Sequence, residues 1–226
     1  MDVLFPTCRM RLSAQDEAFI VRALTSPGTQ SDRLRELLAD PASRDCILDD
    51  EMLFHQLIEQ PSCLQVSLHL YFYVLVRRSL RDAGFDQREL ADYIASLLCH
   101  WAGSQAFFRE LHTGRRSSYE YVSDLWSMMA SADGQARFKI QVYMGNHYLF
   151  MTGVFPDHLR HFSEQRGGPN IRFYEQAGRQ GFELAAEHRL AVRSELGGIY
   201  RMLGENFHEI RQALNDLADR VCFIGA

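Results

Sequence analysis

The chain has 226 residues, a net charge of -5, 46% hydrophobic and 23% charged residues. That is the balance of a globular protein long enough to bury a core as one large domain or two small ones. Its positive charge is never clustered beyond the doublets Arg77-Arg78 and Arg115-Arg116, which excludes a general polyanion binder and leaves no nucleic-acid partner expected.

At the N-terminus, MDVLFPTCRMRL has an acidic second residue, an early proline and no apolar core of signal-peptide length. Ser13 caps a first helix running to about Leu24, with Asp16 at its third position and Ser26-Pro27-Gly28 as its stop. Ser31 caps DRLRELLA, a short helix covers Ser43 to Leu48, and Asp49-Asp50 open EMLFHQLIEQ, which Pro61 closes. The run from Leu64 to Val76 alternates at first and then turns apolar and aromatic, which resembles a strand. It continues unbroken through VRRSLRDAG to Gly84, a helix C-terminal signal, and has no second strand to pair with, so a central helix is predicted. Interrupted by Gln65, Ser67 and His69, it is shorter than the roughly 20 apolar residues a membrane span requires.

Asp86 caps QRELADYIASLLCHWAG, with Leu90, Ile94, Leu97, Leu98 and Trp101 on its apolar face, and QAFFREL follows. The stretch 112–118, HTGRRSS, is the most linker-like in the chain and marks a possible subdomain boundary. Helices are predicted over Tyr119–Ala132, from Gln135 to about Gly153, over Asp157–Gln165, and from the Asn170 cap to about Arg189. Last comes an amphipathic stripe of Val192, Leu196, Ile199, Leu203, Phe207, Ile210, Leu214, Leu217 and Val221, spaced by three or four. Read as one helix it spans about eight turns and overhangs a compact domain, which predicts a homodimer interface; bending at Gly197-Gly198 or Gly204 is the competing reading. The fold class is all-α, a single bundle-like domain over residues 1–226 with roughly nine to eleven helices.

No complete catalytic or cofactor motif is present. There is no G-x-S-x-G, no G-x-x-x-x-G-K-[ST] around the only lysine, Lys139, and no G-x-G-x-x-G. A ferritin-like di-iron site needs two Glu-x-x-His pairs, and only Glu205-Asn-Phe-His208 occurs. Five scattered cysteines, Cys8, Cys46, Cys63, Cys99 and Cys222, never in Cys-x-x-Cys spacing, read as buried thiols in a reducing compartment, so the expected location is cytoplasmic. The richest segment is Tyr143 to Tyr174. His158 and His161 share a helix face there, and His147 supplies a third candidate metal ligand if the Pro156 turn folds its helix back. The plainer reading leaves His158 and His161 in water and His147 in the core. Gly178, Gly181 and Ala185 form a small-residue face, with Gly145 and Gly153 opposite. They read as a close helix crossing, or as room for a flat ligand lined by aromatic residues. The candidate ligand-binding residues of the segment are Tyr143, Asn146, His147, Phe150, Phe155 and Tyr174.

Gly145-Asn146, Leu149-Phe150, Gly153, Phe155-Pro156, then Phe173-Tyr174, Gly178 and Ala185-Ala186 resemble a G-[DN]-x-x-L-F-x-x-G-x-F-P run and a Y-Y-x-x-x-G helix found in bacterial helical proteins of uncharacterised activity. The likeness covers about 45 of the 226 residues, with Phe173 where that pattern has its first tyrosine. It implies a bacterial helical protein and carries no activity. The functional expectation is a protein that binds a partner, itself or a small apolar ligand; the alternative is a metal- or haem-dependent oxidoreductase using the histidines of residues 143–174. The cofactor is unknown.

Overall fold

Helices account for every regular element in the computed structural model, which describes residues 3–25, 31–59, 66–104 and 118–220. Thirteen α-helices and one 3₁₀ turn occur among these residues, with no strand. The all-α expectation holds; the single domain and the nine to eleven helices do not. The chain divides into two compact units, Pro6–Cys99 and Met1–Phe5 with His100–Ala226. The division falls inside a helix, where composition gives no sign of it. The linker expected at 112–118 lies outside the described residues except for Ser118, which begins a helix.

The first unit contains the 3₁₀ turn Cys8–Met10, α1 (Ala14–Leu24), α2 (Ser31–Ala39), α3 (Pro41–Leu48), α4 (Glu51–Glu59), α5 (Leu68–Asp82) and most of α6 (Arg88–Ala102). Ser13 and Asp16 form the expected capping box. Asp16 is fully buried, and its second carboxylate oxygen accepts the Ser67 N–H at 2.7 Å, tying the start of α1 to the start of α5. The ambiguous segment is helical from Leu68 onward, while residues 64–65 lie outside the described residues. Ser67 caps it, and at its other end the Phe85 N–H bonds back to the Leu80 carbonyl at 2.8 Å while Gly84 takes φ +90°. That is a Schellman closure, which favours glycine at this position. Arg77, 2% exposed, makes a two-pronged bond to Asp49 at 2.8 and 3.1 Å, and Arg88 adds a third at 2.8 Å. Burial works against ionising Asp49, yet the two guanidinium groups hold its carboxyl below the usual range. Asp86, expected as a cap, accepts instead from Arg77 at 2.6 Å.

The second unit contains α7 (Ser118–Ser131), α8 (Gly134–Val154), α9 (Pro156–Arg166), α10 (Ile171–Ala186), α11 (Arg189–Arg193), α12 (Gly197–Glu205) and α13 (Phe207–Ala218). From Ile140 to Val154 every α8 side chain is buried except the half-buried Tyr143. Helices α7, α9, α10 and α13 all pack on it. The α8–α10 crossing is close because Gly181 presents no side chain. A Cβ there would lie 2.8 Å from the Gln141 carbonyl oxygen and 2.8 Å from the Gly145 nitrogen. A Cβ on Gly178 would meet the Phe207 ring at 2.5 Å. Protein atoms thus occupy the small-residue face at Gly145, Gly178 and Gly181, as the close-crossing reading expected.

The 192–221 stripe is not one helix. It breaks after α11, where Glu195 adopts φ +60° and the Leu196 N–H reaches back to the Ala191 carbonyl at 3.0 Å. A second break falls at Asn206, between α12 and α13. Its apolar positions from Leu196 to Leu217 are buried, Val192 is 68% exposed, and Val221 lies outside the described residues. The overhang that predicted a dimer through this stripe therefore does not arise. Among the described residues no helix is long and apolar enough to cross a membrane.

Candidate functional site

Four of the six expected ligand-binding residues meet at one place. Tyr143, His147 and Phe150 recur at i, i+4 and i+7 of α8, so they share a face. Phe155, the residue that ends α8, turns its ring onto Phe150 at 5.6 Å, edge to face. The centre of this group is Trp101, from the last turn of α6. Its indole stacks on Phe150 at 5.5 Å and 15°, and lies tilted against Tyr143 at 6.0 Å and His147 at 5.6 Å. Tyr143 and His147 stack at 5.6 Å and 9°. Such offset contacts add about 0.5–1.5 kcal/mol per aromatic pair beyond area burial.

Tyr174 belongs to a neighbouring layer. It tilts against Tyr148 at 5.8 Å, and Tyr148 meets His147 edge-on at 5.2 Å. Asn146 is buried in α8, one residue before His147. His147 is buried, and burial lowers its imidazole pKa from 6.5 to about 4. At neutral pH it is an uncharged ring with one donor and one acceptor nitrogen. Its environment is apolar and aromatic with few polar groups, which is the usual make-up of a small-molecule site.

The three candidate metal ligands are distributed differently. His147 is interior on α8, whereas His158 and His161 are exposed on α9, whose buried face carries Leu159. Among the described residues no group of three His, Cys, Asp or Glu side chains converges to hold a metal ion. The Glu205-x-x-His208 pair is divided by the break at Asn206 and so does not share a helix face. His208 lies beside Glu175 of α10 instead, at 3.3 Å.

Two features carried no prominent sequence signal. Trp101 appeared only as one apolar position among five on its helix. Asn215 secures the end of α8 from α13. Pro156 has no N–H, so the Thr152 carbonyl lacks its normal i+4 partner. The Asn215 side-chain amide donates to that carbonyl at 3.0 Å and also to the Gly153 carbonyl. Arg211 donates to the Asn215 side-chain oxygen and pairs with Glu175 of α10. Gly153 lets this happen, since a Cβ there would press on Leu214 at 3.0 Å. The stranded carbonyl before Pro156 was the available clue.

No protein-family model matches the chain, and neither a curated protein nor a solved structure is significantly similar to it.

Proposed function

We propose that this chain is a non-enzymatic helical protein that binds a small, flat, uncharged apolar ligand at the aromatic face of α8. One observation carries the reading: Tyr143, His147 and Phe150 share one face of α8 and meet Trp101 and Phe155, which sets an uncharged imidazole among aromatic rings. The rings of Trp101, Tyr143 and Phe150 pack on one another and on His147, so a flat molecule would enter at the half-buried Tyr143, where neutral His147 offers a hydrogen bond without a charge. A bacterial, cytoplasmic setting belongs to the same reading, supported by the Gly145–Ala186 resemblance and by the cysteine usage.

The test uses Trp126→Phe, which leaves Trp101 as the sole tryptophan, titrated with 2-naphthol at pH 7. Saturable quenching of Trp101 at micromolar probe, about tenfold weaker in His147→Leu, is the expected result. Non-saturable quenching, or equal affinity in a folded His147→Leu variant, would refute it. For the metal- or haem-dependent alternative, metal analysis and an absorption spectrum of protein purified without chelators are decisive. Stoichiometric metal or a haem band lost in His147→Leu would replace the ligand proposal.

A further inference from the structure

In the first unit, two thiols that are 91 residues apart in sequence face each other: Cys8 Sγ lies 3.8 Å from Cys99 Sγ. The contact is built by the surrounding residues. Asp92, Ser96 and Cys99 recur at i, i+4 and i+7 of α6, forming one line along the helix. Each holds the segment around the 3₁₀ turn. Asp92 accepts the Cys8 N–H at 2.6 Å and the Arg9 side chain at 3.1 Å, Ser96 Oγ accepts the Thr7 N–H at 3.2 Å, and Ser96 Oγ also lies 3.4 Å from Cys8 Sγ. Cys8 is fully buried, Cys99 is half-buried, and both are free thiols.

We propose that Cys8 and Cys99 form a reversible disulfide, a thiol switch that fastens the N-terminal segment to α6 when a low-molecular-weight disulfide is available as oxidant. A bond at the normal S–S length of about 2.05 Å requires the sulfurs to close by less than 2 Å, which side-chain rotation can supply. Its contact with Cys8, and burial, raise the Cys99 thiol pKa, so Cys99, the more accessible thiol, attacks one sulfur of the small disulfide through its minor thiolate form, faster as the pH rises, and expels a small thiolate. Cys8 then attacks Cys99 Sγ, the protein disulfide forms, and the second small thiolate leaves. The two protein thiol protons go to the two expelled thiolates, so two protein thiols are oxidised by two electrons and one small disulfide is reduced to two thiols. The geometry favours the second step, since Cys8 Sγ starts 3.8 Å from the sulfur it attacks.

The experiment uses the full chain with Cys46→Ser, Cys63→Ser and Cys222→Ser, so that only the pair remains. Folded protein is incubated with oxidised glutathione and analysed by peptide mass spectrometry, thiol titration and thermal unfolding. Expected are a Cys8–Cys99 cross-linked peptide, loss of both thiols reversed by dithiothreitol, and a melting midpoint raised by on the order of 10 °C. Adding Cys8→Ser should leave a lasting glutathione adduct at Cys99. A persistent adduct at Cys99 while Cys8 is still present, or thiols that react only after urea unfolds the chain, would overturn the proposal.

Discussion

Gly181→Ala tests the α8–α10 crossing with a single methyl group. The added carbon would sit 2.8 Å from both the Gln141 carbonyl oxygen and the Gly145 nitrogen, and 3.2 Å from Met144 Cβ. The first two are backbone atoms of α8, so no side chain can rotate aside and the helices themselves must separate. Overpacking a close contact costs about 1–3 kcal/mol, and rigid backbone neighbours put this site at the upper end. Replacing a helical glycine with alanine returns about 1 kcal/mol in propensity. The net loss is therefore about 2 kcal/mol, a fall of roughly 4–8 °C in midpoint for a chain of this size. Gly198→Ala is the internal control, because Gly198 is exposed in α12 and its Cβ would meet nothing within 4 Å. That variant should match or slightly exceed the parent, by about 0.5 kcal/mol. Circular dichroism at 222 nm during thermal and urea unfolding measures both. If Gly181→Ala unfolds no earlier than Gly198→Ala, the close-crossing argument is wrong.

Asn215→Leu removes the donor that serves the Thr152 and Gly153 carbonyls and should cost about 1–3 kcal/mol in urea unfolding. Asp49→Leu leaves Arg77 buried without its two-pronged partner; a loss of about 3 kcal/mol is expected, against almost none for Asp157→Leu at the exposed pair with Arg160. His147 has a depressed folded pKa of about 4 against 6.5 for the free side chain, so between those values the unfolded chain takes up a proton that the folded chain refuses. Its contribution is complete above pH 6.5 and erodes as the pH falls to 4, by about 3 kcal/mol in all. The stability profile of His147→Leu should be flatter over that window by this amount, and an unchanged slope would show that the imidazole is not buried.

Local chemistry made most helix limits legible. Ser13 and Asn170 cap the helices they were expected to cap, and Gly84 ends the segment whose alternating start had resembled a strand; Ser67, read only as a polar interruption of that segment, caps its helix. A period of three to four residues survives a tight turn, however, so the terminal stripe read as continuous although Glu195 breaks it in a left-handed conformation unusual for a non-glycine residue. The division at Cys99–His100 lies within a strongly helical pattern and has no compositional trace. At the candidate site, one face of α8 supplied Tyr143, His147 and Phe150 at helical spacing, which sequence displays directly. Trp101 joins them from more than 40 residues away, and no local pattern encodes such a contact. The histidine triad failed for a related reason: the spacing put His158 and His161 on one face, but Leu159 decides which face is buried.

The central claim, that the α8 aromatic face receives a small uncharged ligand, is tested most directly by NMR of protein labelled at tryptophan and histidine. Addition of 2-naphthol should shift the Trp101 indole and His147 imidazole signals saturably, leaving Trp126, His158 and His161 in place. Saturable shifts confined to His158 and His161 on α9, or no saturable shift at any labelled residue, would contradict it.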